Sequence, residues 1–266
     1  MPKFAANLSF LFADVSFPER FQRAAAAGFK GVEFISPYDY PAHDVAEWLR
    51  AAELEQVLFN FGLGDWAAGE RGLACLPHRQ GAFAESVELA LDYAMVLDCQ
   101  QLHCMAGLRP PDVAEAELEA TYIANLRYAA DRLATIGATL MIEPINSRID
   151  MPGYWLDSVE KGFCLLEAVH RSNVKLQYDI YHAQIIAGDL ARTLERHIDR
   201  IGHIQIADNP GRHEPGTGEI NYPFLFELLD RLGYGGWVGC EYKPLGKTED
   251  GLKWMADCGA HAVCLS

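Results

Sequence analysis

Short apolar runs alternate with longer stretches of helical period along the whole of this 266-residue chain. Runs rich in Val, Ile, Leu and Phe cover residues 4–8, 31–35, 57–61, 101–105, 139–143, 174–179, 201–206 and 237–242. Between them, residues 19–27, 44–54, 82–97, 114–136, 158–169, 190–198, 222–232 and 249–262 carry apolar positions at the spacing of amphipathic helices, several followed by glycine where a helix must stop. Strands that alternate with helices in this way predict a parallel sheet joined by crossover helices, and eight of each predict a closed (β/α)8 TIM barrel forming one domain over residues 1–266. A weak internal repeat fits that layout. Ala27-Gly28-Phe29-Lys30-Gly31-Val32-Glu33 resembles Leu232-Gly233-Tyr234-Gly235-Gly236-Trp237-Val238 with Glu241 shortly after, although any helix-to-strand unit with a glycine stop looks similar.

Charge and composition narrow the function more than the fold. A formal net charge of −15 leaves no basic face for nucleic acid or an anionic membrane, and no apolar run is long enough to span a bilayer. An anionic small molecule remains a fitting partner if its pocket is locally positive. The seven cysteines are scattered without a C-x-x-C pair, so they read as buried, reduced thiols rather than a zinc or redox motif. Residues 1–15 lack a signal peptide's unbroken apolar segment, which points to a cytosolic protein; a homo-oligomer is compatible with the chain.

The chemistry is concentrated at the ends of the last four runs. Glu143 closes the fifth before Pro144, Asp179 closes the sixth, Gln205 sits in the seventh, and Glu241 lies near the end of the eighth. Polar groups are costly there unless they face a polar site, and the carboxyl ends of barrel strands surround active sites. A lone strand-end acid commonly caps the next helix or pairs with an arginine, but four oxygen donors on neighbouring strands about 4.8 Å apart can converge on one cation. An all-oxygen set favours Mg²⁺ or Mn²⁺, and Arg212 and Lys243, just beyond the seventh and eighth strands, would offset the excess negative charge. His103, ending the fourth run, either views the pocket or is a satisfied core histidine. Glu33 is expected to line the mouth, and Trp66, in the long third loop, to exclude water.

Three stretches resemble the hydroxypyruvate isomerase family, a branch of the xylose-isomerase-like barrels that includes 2-oxo-tetronate isomerases and ketose 3-epimerases. They are Met141-Ile-Glu143-Pro-Ile-Asn146, Gln177-Tyr-Asp179-Ile-Tyr-His182, and His203-Ile-Gln205-Ile-Ala-Asp-Asn-Pro-Gly-Arg212-His213-Glu-Pro-Gly-Thr-Gly-Glu219-Ile-Asn221-Tyr222. The resemblance covers nearly the whole chain. It implies that Glu143 and Glu241 both hold the metal and move protons, that Asp179 and Gln205 complete the metal shell, and that His182 and Arg212 contact substrate oxygens. The related epimerases carry a histidine where this chain has Gln205, so the departure leans toward the isomerase branch and Mg²⁺. Capping of the next helix is the lesser alternative for His182, and no role is assigned to His213.

The implied reaction is isomerisation of hydroxypyruvate to tartronate semialdehyde through an enediolate. A 2-oxo-tetronate isomerase or a ketose 3-epimerase would use the same residues. An apurinic endonuclease would need further histidine ligands and a basic face, and a non-catalytic sugar-binding barrel would have no use for paired proton-transfer glutamates.

Overall fold

The computed structural model describes residues 2–256. Eight strands run β1 (Lys3–Asn7), β2 (Gly31–Phe34), β3 (Glu55–Asn60), β4 (Gln101–His103), β5 (Thr139–Ile142), β6 (Val174–Asp179), β7 (Ile201–Ile206) and β8 (Trp237–Cys240). All neighbours pair in parallel, and β1 pairs with both β2 and β8, so the sheet closes on itself in sequence order. The expected (β/α)8 TIM barrel is the observed fold.

The crossover helices are α1 (Phe17–Ala26), α2 (Ala42–Ala52), α3 (Gln80–Leu97), α4 (Glu115–Ala134), α5 (Val159–Val169), α6 (Ile180–Ile186), α7 (Leu190–His197) and α8 (Tyr222–Arg231). Local chemistry explains where they start. At α1 the Ser16 backbone N–H donates to the Glu19 side chain at 3.0 Å, with Pro18 in the first turn; Ser158 and Asn221 cap α5 and α8 through their side chains. Stops are less uniform than the sequence pattern predicts. Glycine ends α1 and α8 in left-handed backbone at Gly28 and Gly233, but Glu53, Asp98 and His170 take that conformation after α2, α3 and α5.

One helix was not expected from the pattern. Helix α6 follows β6 with no loop between, and its seven residues are too few to show a helical period. The final expected helix is seen only in part: a 3₁₀ turn at Thr248–Gly251 leads into helical residues 253–256, and positions 257–262 lie outside the described residues. Cys75, Cys99, Cys104 and Cys240 are buried free thiols as expected, whereas Cys164 is exposed because it falls on the outer face of α5; Cys258 and Cys264 lie outside the described residues. Among the described residues, no helix is long and apolar enough to cross a membrane.

Two apolar layers hold the barrel. The larger packs the strands' outer faces against the helices, and a small cluster of Ala5, Val57, Leu58, Met141 and Trp237 forms a separate floor inside. Above that floor the interior turns polar, with Asn7, Glu33, His103, Gln177, His203 and Gln205 all buried. Gly239 on β8 makes room for this layer: a Cβ there would stand 2.3 Å from a Glu33 carboxylate oxygen. Gly239→Ala is therefore expected to cost about 1–3 kcal/mol of stability through overpacking. Urea unfolding of the variant would show it, and an unchanged midpoint would mean the interior yields without strain.

Candidate active site

A cavity of about 250 Å³ opens at the carboxyl end of the strands. Glu143 directly after β5, Gln205 in β7 and Glu241 directly after β8 line it, together with His103, His182, Arg212, Lys243 and Trp66. Asp179 is set back from the cavity wall, yet one oxygen of Asp179, one of Glu143 and one ring nitrogen of His182 all lie within 4.8 Å of one another. The structure thus brings the four expected metal donors to one end of the barrel. The compact three-residue group within it contains His182, which was expected to touch substrate rather than metal.

Asp179 divides its two oxygens between structure and site. Oδ1 accepts the backbone N–H groups of Tyr181 at 2.7 Å and His182 at 3.3 Å, capping α6. Oδ2 is buried with no hydrogen-bond partner and lies 3.6 Å from His182 Nε2. The capping role that any strand-end acid could have is real here, and it leaves the second oxygen available to a ligand.

His182 is oriented by Asn146. The amide oxygen of Asn146 accepts from the backbone of Ile149 and Asp150, which turns its nitrogen toward Nδ1 of His182 at 2.7 Å. That nitrogen also donates to Asp150 Oδ2. With Nδ1 accepting, the neutral ring carries its proton on Nε2, the atom that faces Glu143 at 3.9 Å and Asp179. Burial pulls the imidazole down to about 4, so the neutral form holds, and His182 is built as a hydrogen-bond donor more than as a metal ligand. His103 sits 3.5 Å from the other Glu143 oxygen, and burial pulls it down to about 3.

Arg212 is the cation nearest the carboxylates. Nη1 donates to Asp150 Oδ1 at 3.1 Å and Nη2 to Glu241 Oε1 at 3.0 Å, while Nε is buried without a partner. Its plane lies over Phe10 and Tyr181. Burial works against the charged guanidinium, but Glu241, Asp179, Asp150 and Glu143 outweigh it and raise its pKa. Burial also raises Glu143 well above the usual carboxylate range, helped by Glu241 and Asp179. Glu241 is pushed up to about 8 by burial, with Arg212 opposing. A buried group of carboxylates sharing one guanidinium carries an excess of negative charge that a divalent cation would balance. The orphaned Asp179 oxygen and the all-oxygen set of Glu143, Asp179, Glu241 and Gln205 fit a hard ion of this kind.

The loop that carries Arg212 is pinned by Asp208. Its carboxylate accepts the backbone N–H groups of Asn209, Gly216, Gly218 and Ile220, and its backbone oxygen accepts that of Arg212 at 2.8 Å. Arg212 itself adopts left-handed backbone at φ 57°, and its carbonyl accepts the N–H of Lys243 at 2.7 Å. His213, which had no assigned role, joins its ring Nδ1 to the Lys243 carbonyl at 2.7 Å. The side chain of Lys243 is exposed and has no partner among the described residues. Trp66 lines the cavity, stacked under the Arg71 guanidinium at 3.9 Å.

Comparison with known proteins places this arrangement. The family description "xylose isomerase-like TIM barrel" matches residues 21–258. A 2-oxo-tetronate isomerase from Cupriavidus necator is 51% identical, over 96% of this chain and 98% of that protein. The hydroxypyruvate isomerase of Escherichia coli is 48% identical over the same shares. The chain belongs to the hydroxypyruvate isomerase family of xylose isomerase-like TIM barrels. A solved structure described as an AP endonuclease of family 2 from Brucella melitensis superposes with a TM-score of 0.94 at 51% identity, covering 97% of this chain and 99% of that one. A 3-keto-D-glucoside 4-epimerase from E. coli, at 21% identity and a TM-score of 0.80 over 97% of this chain and 100% of that one, shares the fold.

Within this isomerase-family chain, one expectation needs correction. Glu33 does not line the mouth: it is fully buried beside Gly239, below the cavity, because its side chain turns into the barrel interior under Gln205. Asn146, Asp150 and Gln177 line or brace the site and were not singled out. Their signal was faint, since Asn146 and Gln177 appear only as members of the family-like stretches and Asp150 falls in an irregular loop. Asp208→Ala strands four backbone donors and is expected to cost about 2–4 kcal/mol while loosening Arg212. Chemical denaturation, with limited proteolysis across residues 209–221, would check both; wild-type stability and resistance would rule out the pinning role.

Proposed function

We propose that this chain isomerises a short 2-oxo acid bearing a hydroxyl on the carbon next to the carbonyl, taking hydroxypyruvate to tartronate semialdehyde. The observation that carries the reading is the pair of buried glutamates, Glu143 and Glu241, facing one small cavity between a neutral histidine and a guanidinium. The names borne by relatives at about half identity support it. They also favour a second reading, a four-carbon 2-oxo-tetronate as substrate, on the same residues.

In this mechanism one glutamate takes the proton from the hydroxyl-bearing carbon, giving an enediolate. A proton is then returned to the former carbonyl carbon from the other glutamate while the hydroxyl proton passes to the former carbonyl oxygen, so the two oxygens exchange roles and the glutamates, left with exchanged protonation, are reset through solvent. The Nε2–H of His182 and the unpartnered Nε–H of Arg212 are donors for the oxygens on which charge develops. Lys243, unpaired at the mouth, is the group suited to the substrate carboxylate, with His103 alongside Glu143. Glu143, Asp179, Gln205 and Glu241 would hold one Mg²⁺ or Mn²⁺, which supplies Lewis-acid polarisation of the carbonyl when bound. The apolar wall of Phe10, Phe34, Leu58 and Trp66 keeps water from the reacting carbons. An endonuclease reading is opposed by the net charge of −15.

The test follows solvent deuterium exchange by NMR with hydroxypyruvate and 2-oxo-tetronates in Mn²⁺ or Mg²⁺ buffer. Glu143→Gln and Glu241→Gln should each fold and lose about 10²–10⁴-fold in turnover; undiminished turnover in either would end the proton-transfer assignment. Treatment with EDTA should abolish exchange and lower the melting temperature, and Mn²⁺ should restore both. Full activity in chelator would rule out the metal.

A further inference from the structure

Glu33 is a buried carboxylate that the proposed chemistry does not use. It lies in β2, across the barrel from β7, with no exposure to solvent. Its Oε1 accepts Nδ2 of Asn7 at 2.9 Å and Nε2 of Gln205 at 2.8 Å, and its Oε2 lies 2.6 Å from Nε2 of His203. The absent side chain of Gly239 leaves the space this carboxylate fills.

An amide has two faces of opposite character, one donating and one accepting, and a group able only to accept decides which of them it meets. Asn7 is turned the same way independently, because its oxygen accepts the N–H of Ser9 while its nitrogen goes to Glu33. With the nitrogen of Gln205 held by Glu33, its oxygen is turned away and accepts Nε2 of Gln177 at 2.7 Å, keeping a second lone pair. A cation needs that oxygen and repels an NH₂ group.

We infer that Glu33 is a positioning residue that locks the Gln205 amide with its oxygen, not its nitrogen, available to the bound cation. The inference rests on the reading of Gln205 as a metal donor. It accounts for a full carboxylate kept under the site with three hydrogen-bonding neighbours, and for a glycine at position 239. It also explains how an amide serves where either orientation would otherwise fit the space.

Calorimetric titration of Mn²⁺ into the metal-free full chain, without substrate, tests it. Glu33→Gln removes the acceptor-only partner and lets the Gln205 amide turn, so Mn²⁺ affinity should fall about 10–100-fold, as for other residues that orient metal ligands. Gln205→Met sets the level for a lost donor. The exchange variant Glu33→Gln/Gln205→Glu places a donor under a carboxylate whose two oxygens are equivalent, and should recover most of the loss. If Gln205→Met weakens Mn²⁺ but Glu33→Gln does not, the positioning role is overturned and the metal reading stands; if Gln205→Met has no effect, Gln205 is not a ligand and both fall. Should Glu33→Gln fail to fold, the exchange variant decides: wild-type-like Mn²⁺ affinity supports the role, and affinity as weak as Gln205→Met, or failure to fold, overturns it.

Discussion

The structure is organised around buried negative charge with too little positive charge beside it. Glu143, Asp179 and Glu241 stand at the carboxyl ends of β5, β6 and β8, all nearly excluded from solvent, and the Arg212 guanidinium beside them is shared with Asp150. Desolvated carboxylates in such numbers oppose folding unless something pairs with them. A strand-end cluster of this kind is sustainable because the rest of the barrel is heavily apolar, with one core against the helices and another beneath the site. The energetic burden of the site thus falls on packing elsewhere, and a divalent cation would relieve it directly.

Rigid positioning follows from hydrogen bonds whose direction is dictated outside the cavity. Asn146 is turned by backbone donors, so His182 presents Nε2 to the carboxylates. Asp208 gathers the loop that bears Arg212, and the carbonyl of Arg212 in turn binds the backbone beyond β8 that carries Lys243. His182 and Arg212 are thus each held by a group whose own freedom is spent on backbone. That is the arrangement expected where charges must meet a substrate at fixed places without reorganising.

Most of the barrel could be read from the chain because parallel strands buried on both faces leave continuous Val/Ile/Leu runs, and glycines and caps mark the helix ends. Helix α6 escaped because a strand runs straight into it and Asp179 belongs to both elements. The strand-end donors were legible for the opposite reason: acids and amides contrast with an apolar strand. Glu33 showed the same contrast, but a polar residue one layer deeper looks identical in sequence to one at the mouth; only the register through β1, which pairs with both β2 and β8, and the space at Gly239 separate them. Asn146 and Asp150 act through loop conformation, which the periodicity of the chain does not encode.

The cavity divides its labour between the two halves of the barrel. From β1 to β3 and their loops come Phe10, Phe34, Ile35, Leu58 and Trp66, with Asn7 and Asn60 as the polar exceptions; every charged group on the wall comes from β5 to β8 and the loops that follow them. An apolar wall opposite a charged one lowers the local dielectric and excludes water, so each ion pair and donor on the charged side acts more strongly than it would in solvent. It also leaves the carboxylates without competing partners across the cavity. Glu33 is an acid the first half does contribute, and it is held beneath the wall rather than on it, where its carboxylate accepts the Gln205 amide nitrogen.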